Sequence, residues 1–212
     1  MSRYQKKLQY PINITKKDLK MAKLLVTQYG GSNGELAAAL RYLNQRYTMP
    51  DNKGQALLTD IGTEELAHIE MISTMVYQLL KNATIEEIKQ AGLDPHYAEH
   101  KLALYPTNAD GVPFTVDYFA TTGDSLADLA EDMAAEQKAR AVYENLIDLT
   151  NDPDVIGPLL FLRQREVVHY NAFKELFDEY QKNINKKSGE LNHHFLSLVK
   201  YFHKKWYNVF LS

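Results

Sequence analysis

Glu35 is followed thirty residues later by Glu65-Leu-Ala-His68, and Glu136 is followed thirty residues later by Glu166-Val-Val-His169. This duplicated pattern of acid and imidazole constrains the fold more than any other feature of the 212 residues. Tyr42 lies seven residues after Glu35 and Tyr143 seven after Glu136, so each half of the repeat has a further member. At 3.6 residues per turn, positions three apart and positions seven apart face nearly the same way. Glu65 and His68 therefore share a helical face, Glu166 and His169 share another, and each Tyr stands two turns from its Glu. Chance supplies about half of one Glu-x-x-His pair in a chain with seven His and 14 Glu, and three occur. The third, Glu190-Leu-Asn-His193, has Leu160 thirty residues before it, lacks the upstream acid, and serves as an internal control.

Four long stretches carry helical apolar periodicity, one for each element of the pattern. The first runs from about Lys16 to Thr48 and is interrupted by Gly30, Gly31 and Gly34, small residues that permit a bend or a close helix approach. The second follows Pro50-Asp51 and reaches about Asn82, with Leu58, Ile61, Leu66, Ile69, Ile72, Val76 and Leu79 spaced by threes and fours. The third opens at Gly123-Asp124-Ser125, where Asp or Ser can cap it, and ends before Asn151-Asp152. The fourth opens at Asp152-Pro153, a cap with a first-turn proline, and continues to about Asn185. Helices of this length are typical of bundles, so the fold class is all-α.

About 40 residues, from Asn82 to Thr122, separate the second and third helices, far more than the usual two to eight. Thr84-Ile-Glu-Glu87 reads as a capping box opening a short helix, and Pro95, Pro106, Gly111 and Pro113 interrupt regular structure beyond it. A crossover along the bundle lets helices two and three point the same way, as in a ferritin-like four-helix bundle. Residues 1–185 form this bundle. Residues 186–212 form a basic amphipathic segment in which Leu191, Phe195, Leu198, Phe202, Trp206 and Val209 fall on one stripe. Five lysines and one Glu give that segment about +4, leaving about −7 for the rest. Such a helix suits a membrane surface or a partner groove, or folds back on its own or a neighbouring subunit.

Composition narrows the chemistry. A net charge of −3 gives no electrostatic case for nucleic acid as partner. The absence of Cys excludes disulfides, thiolate zinc sites and thiol nucleophiles. No apolar run approaches the ~20 residues of a membrane span, and the N-terminus lacks the apolar core of a secretory signal. In di-metal bundles two helices each give a Glu and two each give Glu-x-x-His, all inward, which matches Glu35, Glu65, His68, Glu136, Glu166 and His169. Four carboxylates at −4 offset two divalent cations, and this ligand set suits manganese or iron without separating them. Tyr42 and Tyr143 are candidate donors to the ligand carboxylates.

Other roles compete for some of these residues. Ser32-Asn-Gly-Glu35 also matches a capping box, and a tyrosine or histidine alone is an ordinary core residue. Glu64 and Glu70 flank the motif on other helical faces, which assigns them to solvent or ion pairs. His96 and His100 stand one turn apart in the crossover, a metal pair with no third ligand in view. The Gly30–Gly34 run lacks the ending of a phosphate loop.

Gly34-Glu-Leu-Ala-Ala-Ala-Leu-Arg-Tyr42, Gly62-Thr-Glu-Glu-Leu-Ala-His-Ile-Glu70, Ala134-Ala-Glu-Gln-Lys-Ala-Arg140 and Arg165-Glu-Val-Val-His169 resemble the manganese catalase family. The likeness covers about residues 15–185 and is greatest to the shorter spore-coat members of endospore-forming bacteria. It implies a pair of manganese ions bridged by Glu65, with Glu35 and His68 on one ion and Glu136 and His169 on the other. It also implies disproportionation of hydrogen peroxide, a homo-oligomer of hexameric type, and deposition among coat proteins, while the lack of a signal sequence implies cytosolic (cytoplasmic) synthesis. Glu166 is left open. The internal repeat makes it a ligand, whereas the resemblance makes it a proton shuttle beside the metals. The basic residue that in some members holds this carboxylate away is here Ala135. A di-iron oxidase or ferroxidase, and a structural coat protein with a low-activity site, are the alternatives.

Overall fold

The computed structural model describes residues 7–209, with side chains for residues 7–186. Its helices are α1 (Leu19–Gly30), α2 (Glu35–Gln45), α3 (Asn52–Leu80), α4 (Ile85–Gln90), α5 (Asp94–His100), α6 (Ser125–Asp148) and α7 (Pro153–Val209). Short 3₁₀ turns at Arg46–Thr48 and Val116–Phe119 punctuate the chain. No strand is present among the described residues; Thr107 and Pro113 form an isolated bridge.

The expected caps at Asp124 and at Thr84 with Glu87 form, opening α6 and α4, and Asp18 and Asp51 likewise accept backbone N–H groups at the starts of α1 and α3. The first long stretch is broken into α1 and α2 because the glycines are needed where they stand. A Cβ on Gly30 would collide with the Pro106 carbonyl carbon, since the crossover backbone lies directly on the end of α1. Ser32 forms no capping box with Glu35: the N-cap of α2 is Gly34, without a side-chain bond, and Glu35 points inward.

α2 returns against α3, and α6 against α7, as two antiparallel hairpins. Lys53 pairs with Glu179, Glu64 with Arg165, and Tyr180 donates to Asp51, so α3 and α7 run antiparallel as well. α3 and α6 consequently point the same way, and residues 81–124 make the crossover that this requires. Arg41, almost fully buried, ties the crossover down by donating to the Tyr118 and Phe119 carbonyls. The fold is thus the all-α, ferritin-like bundle read from the sequence.

α7 passes the level of Asp51 at Tyr180 and continues as helix to Val209. It does so through the 185/186 boundary set by the sequence, because a lone Gly189 costs a helix only about 1 kcal/mol. The apolar stripe from Leu191 to Val209 lies outside the residues whose side chains are described. Two apolar layers fill the bundle. One gathers Leu25, Met71, Met75, Leu79, Tyr143, Leu146, Leu159 and Leu162; the other gathers Tyr42, Leu58, Ile61, Leu129, Phe173 and Leu176. Between them, at mid-helix in α3, α6 and α7 and in the first turn of α2, lies a polar layer.

Candidate metal centre

The polar layer brings together every acid and imidazole of the duplicated pattern. Glu35, Glu65, His68, Glu136, Glu166 and His169 are each at most 2% exposed. One ligand-type atom each from Glu35, Glu65, His68 and Glu166 lies within 4.8 Å of the others, and so do those of Glu65, Glu136 and His169. Glu65 belongs to both groups. Its Oε2 lies 2.6 Å from His68 Nδ1, and its Oε1 lies 2.8 Å from His169 Nδ1. Glu35 Oε2 is 3.5 Å from His68 Nδ1, and Glu136 Oε2 is 3.6 Å from His169 Nδ1. The two rings stack with centroids 5.7 Å apart.

Several of these atoms approach without bonding. Glu65 Oε1, Glu136 Oε2, Glu166 Oε1 and His169 Nδ1 are buried and have no hydrogen-bond partner, although Glu65 Oε1 and His169 Nδ1 are only 2.8 Å apart. Buried polar atoms that go unpaired cost about 1–3 kcal/mol each. Groups that converge in distance but miss one another in angle suit a cation held in common better than a hydrogen-bonded network. The donor set, carboxylates and imidazoles in a buried layer, fits such an ion.

The titration behaviour follows from the crowding. Burial, and then the charge of Glu65, pushes the Glu35 carboxyl up to about 8. Burial, then Glu136, Glu35 and Glu65, raises Glu166 well above the usual carboxylate range. For His68 and His169 burial acts downward, but the Glu65 charge overrides it: His68 lies well above its ordinary value and His169 is pushed up to about 12. Glu65 itself is held low by His169 and His68 against its burial.

The tyrosines cross over. Tyr42 donates to Glu136 Oε1 at 2.5 Å, and Tyr143 donates to Glu35 Oε1. Each hydroxyl therefore serves the carboxylate of the other half rather than the Glu two turns before it. Spacing shows which residues share a face; it does not show which helix that face meets.

Glu64 does not face away, as its flanking position suggested. It stands four residues before His68, one turn along the same face, and its carboxylate reaches both histidines. Glu64 Oε2 accepts from His169 Nε2 at 3.0 Å, and Oε1 lies 3.6 Å from His68 Nε2. Arg165 clamps it with bonds of 2.7 and 3.0 Å. Burial works to raise this carboxyl, and the neighbouring His169, His68 and Arg165 outweigh it. Asp132 was also unforeseen. It is fully buried one turn before Glu136, its oxygens lack partners, and burial raises its carboxyl well above the ordinary range. Among the described residues His96 and His100 gather no third ligand: His96 Nε2 donates to the Ala103 carbonyl and His100 stacks on Tyr105.

A narrow cavity between α2 and α6 leads to the layer. Exposed Ser32 stands at its edge, Ala38, Ala135 and Ala139 wall it, and Glu35 and Glu166 line it within.

Residues 1–206 match the family described as manganese containing catalase, so the match takes in most of the segment beyond residue 185. Protein CotJC of Bacillus subtilis (strain 168) is 56% identical over 184 residues, covering 87% of this chain and 97% of that protein. A manganese catalase of Bacillus subtilis is 34% identical over 193 residues, covering 83% of this chain and 71% of that one. Among solved structures, KatB, a manganese catalase from Anabaena PCC7120, superposes with a TM-score of 0.78 at 30% identity, covering 85% of this chain and 81% of that one.

Proposed function

Because the chain belongs to the manganese-containing catalase family, we propose that it disproportionates hydrogen peroxide to oxygen and water at a pair of manganese ions. The observation that carries this reading is Glu65, which turns one oxygen to each histidine and so stands where a bridging carboxylate belongs. In this reading Glu35 and His68 complete one ion, and Glu136 and His169 the other. When bound, the manganese pair supplies a two-electron couple, which avoids releasing one-electron radicals. One peroxide takes up two electrons and two protons to give two waters; a second gives up two of each to become dioxygen.

The residues of this chain handle the protons. Glu166 gathers with Glu35, Glu65 and His68, feels the charge of Glu136, lines the cavity, and has an oxygen with no bond of its own. It accepts a proton from the peroxide being oxidised and returns one to the peroxide being reduced. With Ala135 in place of a basic neighbour, no cation beside it on α6 draws it aside. Tyr42 and Tyr143 fix the orientation of Glu136 and Glu35 through their crossed hydroxyls. Ala38, Ala135 and Ala139 set only small side chains along the approach to Glu35 and Glu166.

A second reading, a coat component whose metal site does little chemistry, is favoured by the likeness to the spore-coat members. In either reading the bundle of residues 1–185 associates into hexamers, the tail of residues 186–212 contributes to assembly, and the protein is laid down with other coat proteins. Metal analysis of the purified full chain, coupled to oxygen release from peroxide, tests the proposal. Manganese near two per chain with rapid oxygen release supports it. Iron with oxygen consumption makes the protein a di-iron oxidase or ferroxidase, and bound metal without turnover leaves the coat reading.

A further inference from the structure

The two halves of the repeat are offset by 101 residues: Glu65 matches Glu166, and His68 matches His169. By the same offset Glu64 matches Arg165, so one equivalent position carries opposite charges, and these two side chains meet. We propose that Glu64 is a positioning residue for both histidines, held in place by Arg165. This inference rests on the reading that the Nδ1 atoms face the manganese ions.

An imidazole that binds a cation through Nδ1 keeps its hydrogen on Nε2, and an acceptor there fixes the tautomer and the ring plane and strengthens the ligand. Both Nε2 atoms are turned to the same carboxylate. His169 Nε2 is bonded to Glu64 Oε2 at 3.0 Å. His68 Nε2 is buried with no hydrogen-bond partner, and Glu64 Oε1 faces it at 3.6 Å. A freely rotating carboxylate could not serve both. The fork of Arg165 takes up Oε1 at 2.7 Å and Oε2 at 3.0 Å, and Gln9 adds a bond to Oε1 at 3.2 Å, which together fix its plane. One group on α3 thereby sets the orientation of a ring on its own helix and of a ring on α7.

The rival explanation is an ion pair that merely joins α3 to α7. Partly exposed pairs of that kind contribute about 0–1 kcal/mol and do nothing to a ligand's orientation. Manganese(II) alone is the probe. Its affinity for the full chain is measured by competition with a fluorescent chelator, and its paramagnetic resonance spectrum is recorded at saturation, for Glu64→Ala, Glu64→Gln and Arg165→Met. The positioning role requires Glu64→Ala to lose about 10–100-fold in affinity with an altered spectrum. Arg165→Met, which keeps the carboxylate but frees it to rotate, loses less. Glu64→Gln, which keeps the shape and folds like the parent, falls between, because its single carbonyl oxygen serves one imidazole. Equal losses for Glu64→Ala and Arg165→Met, or unchanged affinity and spectrum in Glu64→Gln, overturn the proposal. A parent protein that binds manganese without evolving oxygen overturns the proposed activity instead and leaves this comparison standing.

Discussion

Treating the protein with chelator and then raising the pH should destabilise it, and the size of the effect follows from the crowded layer. In the folded chain Glu35 holds its proton up to about pH 8, whereas unfolded it releases that proton near 4.5. His169 keeps its proton up to about 12 and His68 well above its ordinary 6.5. From pH 5 upward the folded state therefore binds more protons than the unfolded one, and stability falls as pH rises. Each such proton contributes about 1.4 kcal/mol per pH unit. Glu35 alone gives a loss of about 3 kcal/mol between pH 5.5 and 7.5, and the two imidazoles steepen the slope above 6.5. Glu64 and Glu65 act in the opposite sense. Their carboxyls are depressed, so the stability they add is present above pH 4.5 and is lost as pH falls below it. Chelated protein should thus be most stable near pH 5. With a urea m-value of about 2 kcal/mol/M, the unfolding midpoint should drop by more than about 1 M from pH 5.5 to 7.5. Restoring manganese should flatten the slope, because the cation takes the place of the protons. A midpoint that stays level or rises over this range in chelated protein would refute the reasoning.

Tyr143→Phe removes the donor to Glu35 and leaves a buried carboxylate oxygen short of a partner. It should cost about 1–3 kcal/mol in urea unfolding, and a loss below 0.5 would mean that the hydroxyl is not bonded as described. Gly30→Ala sets a Cβ against the Pro106 backbone, which cannot yield as a flexible side chain would. A loss of about 1–3 kcal/mol is expected, with faster tryptic cleavage of the crossover than in the parent protein.

The helices, their caps and the identity of the converging acids were legible because they are local or periodic. Asp51, Asp124 and Thr84 announce their helices by chemistry acting over three residues. Glu65 and His68 announce a shared face by spacing. What the sequence could not give is the pairing of faces across the bundle. The exchange of Tyr42 and Tyr143 between halves depends on how α2 crosses α6, which no residue spacing encodes. Glu64 reads as a flank of the motif, yet its place four residues before His68 and the opposite charge at Arg165 signal that it faces the site. Asp132 carried none beyond lying one turn before Glu136. The crossover showed its length and its breakers, while its path over Gly30 and Arg41 is a tertiary outcome.

The charge reversal between Glu64 and Arg165 also favours, at this one contact, the pairing of unlike hairpins over like ones. Two hairpins of the first kind, brought face to face, would oppose acid to acid at this point, and two of the second kind would oppose base to base. Only unlike hairpins satisfy the contact. A chain whose halves repeat one pattern of ligands thus carries at this contact a mark that tells the halves apart, and linkage in one polypeptide keeps the complementary partner at hand.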